Sequence, residues 1–150
     1  MRLWLARGGV WLLRPSLELM IDRHRLWHRL IIGPPERIHI HPTAVISNAT
    51  LNSSSGSITI ERGAFFGQSV LILAGTHDPS LRGEARFTHL PSEGRDILIE
   101  EGAWVASGAI IIGPCVVGRH AVVAAGSVVT RDVEPETMVA GVPASFIRRV

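Results

Sequence analysis

Aliphatic residues recur every six positions through the second half of the chain. Six β-branched residues have this spacing: Ile99, Val105, Ile111, Val117, Val123 and Val129. The position four residues after each of the first five is always small: Ala103, Ala109, Cys115, Ala121 and Ser127. A period of six fits neither the two-residue alternation of a strand nor the 3.6-residue turn of a helix. It indicates a parallel β-helix, in which three hexapeptides form one triangular turn of about 18 residues.

The same pattern is present earlier in the chain, less regularly. Four pairs follow it: Ile40 with Ala44, Ile46 with Thr50, Ile60 with Ala64, and Phe66 with Val70. We therefore assign residues 38–133 to the coil, with the aliphatic residues pointing inward. Residues 38–78 and 97–133 suffice for roughly four turns, and a repeat fold needs at least about three units to be stable.

The period breaks in the middle of this region. Ile72 and Ile99 are 27 positions apart, which is not a multiple of six, and residues 79–96 show no six-residue pattern. We predict that this segment leaves the coil as a protruding loop and returns to it. Long loops in compact domains are commonly functional.

The N-terminal 37 residues have a helical pattern instead. Ser16 is a candidate cap for a helix over residues 17–31, and the Gly-Pro-Pro run at 33–35 would end it. We predict that residues 1–37 form a helical cap over the open end of the coil, because repeat folds need covered ends. The alternative is peripheral contact with a membrane surface, or a platform for an acceptor molecule.

Residues 134–150 are predicted to be a C-terminal tail. Glu134 and Pro135 are expected to end the strands, and residues 141–144 (Gly-Val-Pro-Ala) are expected to form a bend. The expected architecture is therefore all-β, with one coil, an N-terminal helical segment and a protruding loop.

Composition narrows the class of protein further. The chain has 150 residues, 46% hydrophobic and 19% charged, which fits one globular domain rather than a disordered chain or a coiled coil. All basic residues are arginine, the net charge is only +2 and no basic run is present, so nucleic acid is not expected as a partner. One cysteine, Cys115, excludes an internal disulfide. No apolar run could span a bilayer and no signal-peptide pattern is present, so a cytoplasmic protein is expected.

Three stretches carry a family resemblance: WVASG at 104–108, VGRHAVVAAGSVVTRDV at 117–133 and MVAGVPA at 138–144. They resemble the hexapeptide-repeat acyltransferases, in particular the maltose/galactoside and polysaccharide O-acetyltransferase branch. The resemblance implies a left-handed β-helix, a homotrimer with active sites between subunits, and acetyl-CoA as the acyl donor. It covers residues 38–150 and does not extend to the first 37.

The implied reaction requires a base. A sugar hydroxyl is too weakly acidic to ionise at neutral pH, so a group that titrates near pH 7 must take its proton as it attacks the thioester, and histidine is suited to this. The resemblance assigns this role to His77, which lies at the root of the loop in Thr-His-Asp-Pro at 76–79. His77 would then protonate the departing CoA sulfur, and no covalent enzyme intermediate is needed.

The resemblance also assigns residues to the two substrates. The donor would contact Ala106, Ser107, Ala125, Thr130, Arg131, Ser145 and Arg148. Among them Ser107 would help to hold the thioester carbonyl, the small residues would leave room for pantetheine, and the arginines would lie near the nucleotide phosphates. The family often has a cation where Ser145 stands, which weakens that contact.

The acceptor is less defined by the resemblance. Sugar enzymes of the maltose/galactoside type carry an acceptor-binding Asn before the catalytic histidine, and counting back reaches Ser47, with Asn48 beside it. His89, in the loop, is a further candidate for acceptor contact. A maltose-like acceptor is therefore not expected, and the loop and N-terminus point to another sugar or glycoconjugate.

Other functions stay open at this point. N-acetyl transfer to an amino sugar or drug would use the same base. A non-catalytic scaffold or a γ-carbonic-anhydrase-like protein could share the fold, although the latter requires three zinc-binding histidines. No metal is expected: His24 and His28 have a spacing that could bind metal, but no third ligand is evident. Cys115 is interpreted as a small coil residue and not as a nucleophile.

Overall fold

Three parallel sheets form the sides of a triangular coil in residues 30–150, the part of the chain that the computed structural model describes. Face 1 consists of β1 (Leu30–Ile32), β3 (Thr50–Asn52), β6 (Leu71–Leu73), β9 (Ile110–Ile112) and β12 (Val128–Val129). Face 2 consists of β2 (Ile38–Ile40), β4 (Ile58–Ile60), β7 (Ile97–Ile99) and β10 (Cys115–Val117). Face 3 consists of β5 (Phe65–Phe66), β8 (Trp104–Val105), β11 (Val122–Val123), β13 (Thr137–Gly141) and β14 (Ala144–Arg149). The chain visits the faces in the order 1, 2, 3 and stacks each turn on the one before.

The predicted six-residue pattern is confirmed as the core of this coil. All six aliphatic residues from Ile99 to Val129 are buried, and so are the five small residues that follow them at the corners. Adjacent strands pair 18 positions apart in this region, as Ile97 does with Cys115 and Ile110 with Val128. Since each inward side chain stacks on its equivalent one turn away, the core is a continuous apolar column along the axis.

The earlier turns are longer than 18 residues. Ile38 pairs with Ile58 and Thr50 with Leu71, at separations of 20 and 21. The chain also slips by one residue at the first corner: the buried small residue there is Ala49, while Thr50 is only half-buried. The prediction that Thr50 takes this corner position is therefore wrong, because a corner must hold the smaller side chain.

The loop is an insertion between two complete turns. Ile60 pairs with Ile99, 39 positions later, which exceeds a regular turn by 21 residues. Face 1 thus ends at β6, the chain leaves the coil, and face 2 resumes at β7. The loop contains a short helix, α1 (Gly83–Thr88), which has no buried residue.

The coil begins earlier than the sequence predicts. Leu30–Ile32 is a strand that pairs with Thr50–Asn52, so the expected helix over 17–31 is wrong at its last two positions. Pro35–Arg37 forms only a single 3-10 turn. Pairing with the next turn outweighs the local helical pattern, because aliphatic residues suit a stacked strand well. The rest of the predicted helical cap, residues 1–29, lies outside the described residues.

The C-terminal residues also continue the fold rather than trail from it. β13 pairs in parallel with β11, and β14 returns antiparallel along β13, with the predicted bend between them. The expectation that Glu134 and Pro135 end the strands is wrong, because Val139 still occupies an inward position and is buried. Within residues 30–150 no helix is long and apolar enough to cross a membrane.

Candidate active site

His77 lies at the root of the loop, on the edge where face 1 turns towards face 2. Its ring is exposed, and Nδ1 is 2.9 Å from the backbone carbonyl oxygen of Arg86 in α1. Because a carbonyl oxygen can only accept, Nδ1 must donate, so the neutral ring carries its proton on Nδ1 and a lone pair on Nε2. The loop therefore holds this histidine in the tautomer that can take a proton at Nε2.

Two polar contacts fix the chain on either side of His77. The Thr76 amide donates to the hydroxyl oxygen of the buried Ser55, at 3.2 Å, which ties the loop root to the preceding turn. The Asp78 carboxylate accepts hydrogen bonds from the Ser80 hydroxyl and backbone amide, at 2.7 and 2.8 Å. These two bonds lower the pKa of Asp78 from its ordinary value. They also turn the carboxylate towards the loop turn, so the ring nitrogen is oriented by a backbone carbonyl.

Asn52 is on the same edge as His77, one turn earlier, and was not singled out from the sequence. Its carbonyl oxygen Oδ1 accepts from the Ser54 amide at 3.0 Å, and its Nδ2 retains donor capacity. The amide packs so closely on Gly75 that any Cβ there would overlap it. The signal for this placement is the register, which pairs Asn52 with Leu73, but the irregular turn length conceals it in the sequence.

The predicted donor residues Ala106, Ser107 and Ala125 lie together on a different edge, between faces 3 and 1. The Ser107 hydroxyl oxygen accepts from the Gln68 amide at 3.0 Å, so its proton remains available to donate to a carbonyl. A Cβ at Gly67 would overlap the Ser107 backbone and hydroxyl. Small residues on consecutive turns leave this edge open to an extended ligand.

The remaining donor candidates are on the last turn and at the C-terminus. Thr130 and Arg131 follow β12, and Arg131 and Ser145 line one pocket of about 160 Å³ beneath β14. Arg148 is on β14 opposite Met138 and donates to the Arg149 carbonyl at 3.1 Å. The structure thus brings Arg131 and Ser145 together, while Arg148 is not among the residues lining that pocket.

The acceptor candidates do not surround His77 within one chain. Ser47 and Asn48 lie at the corner between faces 3 and 1, where Ser47 Oγ donates to the Phe66 carbonyl at 3.1 Å. Asn48 Oδ1 accepts from the Ser69 amide at 2.7 Å, so both side chains brace a corner. His89 follows α1, exposed, with Nδ1 3.0 Å from the Thr88 hydroxyl. Their predicted contact with an acceptor stays a prediction.

The two functional edges are separated by the width of face 1. His77 follows β6 at one end of that face, whereas Ser107 and Ala125 precede β9 and β12 at the other. Four to five extended residues at about 3.3 Å each place these edges roughly 15 Å apart. Proton transfer requires hydrogen-bond distance. A base and a thioester on these edges can therefore meet only if the donor edge belongs to another copy of the chain.

Cys115 is excluded as a nucleophile by its surroundings. It is buried in β10, and burial together with the nearby Asp132 carboxylate raises the pKa of its thiol to about 12. The thiolate is the reactive form of cysteine, so this side chain is inert at neutral pH. Among residues 30–150, no three His, Cys, Asp or Glu side chains lie close enough to hold a metal ion.

Known proteins share this repeat and this coil. Residues 96–131 match the family model described as bacterial transferase hexapeptide (six repeats). Serine acetyltransferase 2 of Arabidopsis thaliana is 34% identical over 143 residues, which cover 89% of this chain and 42% of that protein. The chain belongs to the hexapeptide-repeat family. It spans less than half the length of the curated relatives that it matches.

Solved structures agree with this membership at the level of fold. An N-acyltransferase from Bacillus cereus, in complex with dTDP and 3-hydroxybutyryl-CoA, superposes with a TM-score of 0.66 at 17% identity, over 79% of this chain and 64% of that one. A hexapeptide-repeat acetyltransferase from Vibrio cholerae, in complex with acetyl coenzyme A, has a TM-score of 0.55 at 24% identity, over 87% and 77%. The fold of this family member is the left-handed parallel β-helix, as the resemblance implies.

Proposed function

We propose that this chain is an acetyl-CoA-dependent acetyltransferase that acts on a hydroxyl group, with His77 as general base. The observation that carries the proposal is the hydrogen bond from His77 Nδ1 to the Arg86 carbonyl, which leaves Nε2 free to accept a proton. The serine acetyltransferase relative supports acetyl transfer to oxygen. The neighbouring structures with bound CoA thioesters support the donor.

The reaction needs one proton to move twice. Nε2 of His77 takes the hydroxyl proton while the acceptor oxygen attacks the thioester carbonyl, giving a tetrahedral oxyanion and an imidazolium. The oxyanion then collapses, the carbon–sulfur bond breaks, and the imidazolium returns the proton to the CoA sulfur. The products are the acetyl ester and free CoA, and the ring ends in its starting tautomer.

The donor would occupy the edge between faces 3 and 1. Ala106, Ala125 and Thr130 leave space for the pantetheine arm, and the Ser107 hydroxyl can donate to the oxyanion. Arg131 would meet the phosphates beside Ser145, and Arg148 would add charge from β14. Since His77 is on the other edge of face 1, the site requires a second copy of the chain, which a homotrimer supplies at each interface.

Two hydroxyl acceptors fit the proposal. A sugar or glycoconjugate is the acceptor expected from the sequence, and serine is favoured by the Arabidopsis relative, whose name states that substrate. Both would meet Nε2 of His77, with Asn52 on the same edge able to donate from Nδ2. Amine acceptors would use the same base and form an amide in place of an ester.

The test is acetyl transfer by the full chain. Purified protein is incubated with acetyl-CoA and a panel of sugars, serine and amino sugars, and free CoA is measured as thiol release. Hydroxylamine cleaves an ester product and spares an amide, which separates O- from N-transfer. We expect CoA release with a hydroxyl acceptor and an ester product.

The matched control uses two histidine variants. His77→Ala should abolish transfer, whereas His39→Ala, on the outward side of β2, should retain it. Undiminished transfer by His77→Ala would refute the base assignment. Absence of CoA release with every acceptor would favour a non-catalytic member of the family.

A further inference from the structure

The helix that orients His77 has little packing of its own. α1 contains only six residues, none of them buried, and no side chain caps its N-terminus. Helices this short are marginal in water, and most helical stability in proteins comes from tertiary packing. Its position against His77 must therefore depend on specific polar contacts.

One side chain supplies contacts that span the loop. The Arg86 guanidinium donates from Nε to the Leu81 carbonyl at 2.8 Å and from Nη2 to the Pro79 carbonyl at 3.3 Å. Pro79 comes two residues after His77. These bonds join the second half of the helix to the turn that follows the base directly.

The backbone of the same residue completes the connection. The Arg86 carbonyl accepts the His77 Nδ1 proton, so one residue holds the ring with its backbone and the adjoining turn with its side chain. A shift of the helix relative to the turn would break both contacts together.

We propose that Arg86 is a positioning residue for His77. Its guanidinium fastens α1 to the turn at 79–81, which keeps the Arg86 carbonyl on Nδ1 and the lone pair on Nε2. The structural part of this inference stands on the contacts alone. Its kinetic part rests on the proposed function.

Arg82 provides a matched control in the same loop. Its Nη1 also donates to the carbonyls of Pro79, Ser80 and Leu81, at 2.9, 3.3 and 3.1 Å. Those partners are only one to three residues away, so these bonds brace the turn without tying the helix to it. Loss of Arg82 removes the same charge and a similar number of donors.

The primary experiment reads the tautomer by ¹⁵N NMR of the His77 ring in the full chain, above its titration range. The wild type should show a protonated Nδ1 and an unprotonated Nε2. Arg86→Met keeps the aliphatic stem but removes both donors, and should give a ring that exchanges between tautomers or favours Nε2–H. Arg82→Met should keep the wild-type pattern, and Arg86→Lys should restore part of it.

The kinetic experiment uses the same variants. For Arg86→Met, kcat should fall about tenfold to a hundredfold, the usual cost of losing a partner that orients a histidine, while the KM for acetyl-CoA stays unchanged. Thermal melting of the coil should be unaffected, because α1 buries no residue.

The outcomes separate this inference from the proposed function. Retention of the Nδ1–H tautomer in Arg86→Met overturns the inference, whatever happens to kcat, and so does an equal effect of Arg82→Met. A tautomer change in Arg86→Met with a wild type that transfers no acetyl group supports the positioning role and refutes the proposed function instead.

Discussion

The Ser55 hydroxyl oxygen lies 3.2 Å from the amide nitrogen of Thr76 and anchors the residue before the proposed base to the preceding turn. Ser55 is fully buried, so its hydroxyl is shielded from water. Ser55→Ala leaves the Thr76 amide without this acceptor, and an unsatisfied group of this kind costs about 1–3 kcal/mol. We expect a lower free energy of unfolding in urea together with a lower kcat.

Ser54 is the neighbouring control for that prediction. Among the described residues its hydrogen bonds are made by the backbone, to Asn52 and from Arg37. Ser54→Ala should therefore unfold within about 0.5 kcal/mol of the wild type. Equal losses in both variants would show that the Ser55–Thr76 bond has no special role.

The apolar column of the coil predicts a stability difference between two isoleucines. Ile111 is inward on face 1 and fully buried, whereas Ile147 on β14 is 53% exposed. Ile111→Ala should lower the free energy of unfolding by about 2–5 kcal/mol, from lost burial and the cavity that remains. Ile147→Ala should change it by less than about 0.5 kcal/mol. Denaturant titration of both variants measures this, and similar small losses would contradict an inward Ile111.

The surroundings of Cys115 predict a silent thiol. Its pKa of about 12 keeps it protonated at pH 7.5, and β10 covers it. A thiol reagent such as DTNB should label it slowly in the native protein and rapidly once guanidinium unfolds the chain. Activity should survive incubation with the reagent. Fast native labelling with loss of activity would show an accessible thiolate and would reopen covalent catalysis.

The core of the fold follows from the sequence because its determinants are periodic. Ile99 to Val129 and the small residues between them report directly on inward positions and corners. The ends are harder: Leu30–Ile32 is recognisable as a strand only through its pairing with Thr50–Asn52, which lies 20 residues away. β13 similarly depends on pairing with β11.

The site is predictable only in part, for a related reason. His77 was reached through its position at the loop root and the family resemblance. Asn52 and Arg86 were missed. Asn52 reaches the same edge through a turn of irregular length, and Arg86 acts through contacts between a loop side chain and backbone carbonyls, which leave no periodic signal in the sequence.

The claim that base and donor edge come from different copies is tested most directly by mixing two inactive variants. His77→Ala lacks the base, and Ala125→Trp blocks the exposed donor edge, while Ala125→Ser is the mild control that should stay active. Each blocked variant alone should be inactive in acetyl transfer.

Trimers co-expressed from both chains with different tags, and purified on both, decide the question. If each site takes one edge from each of two copies, about one site in four combines an intact His77 with an intact donor edge, so roughly a quarter of wild-type kcat should return. Activity that remains at the level of the single variants would contradict a shared site.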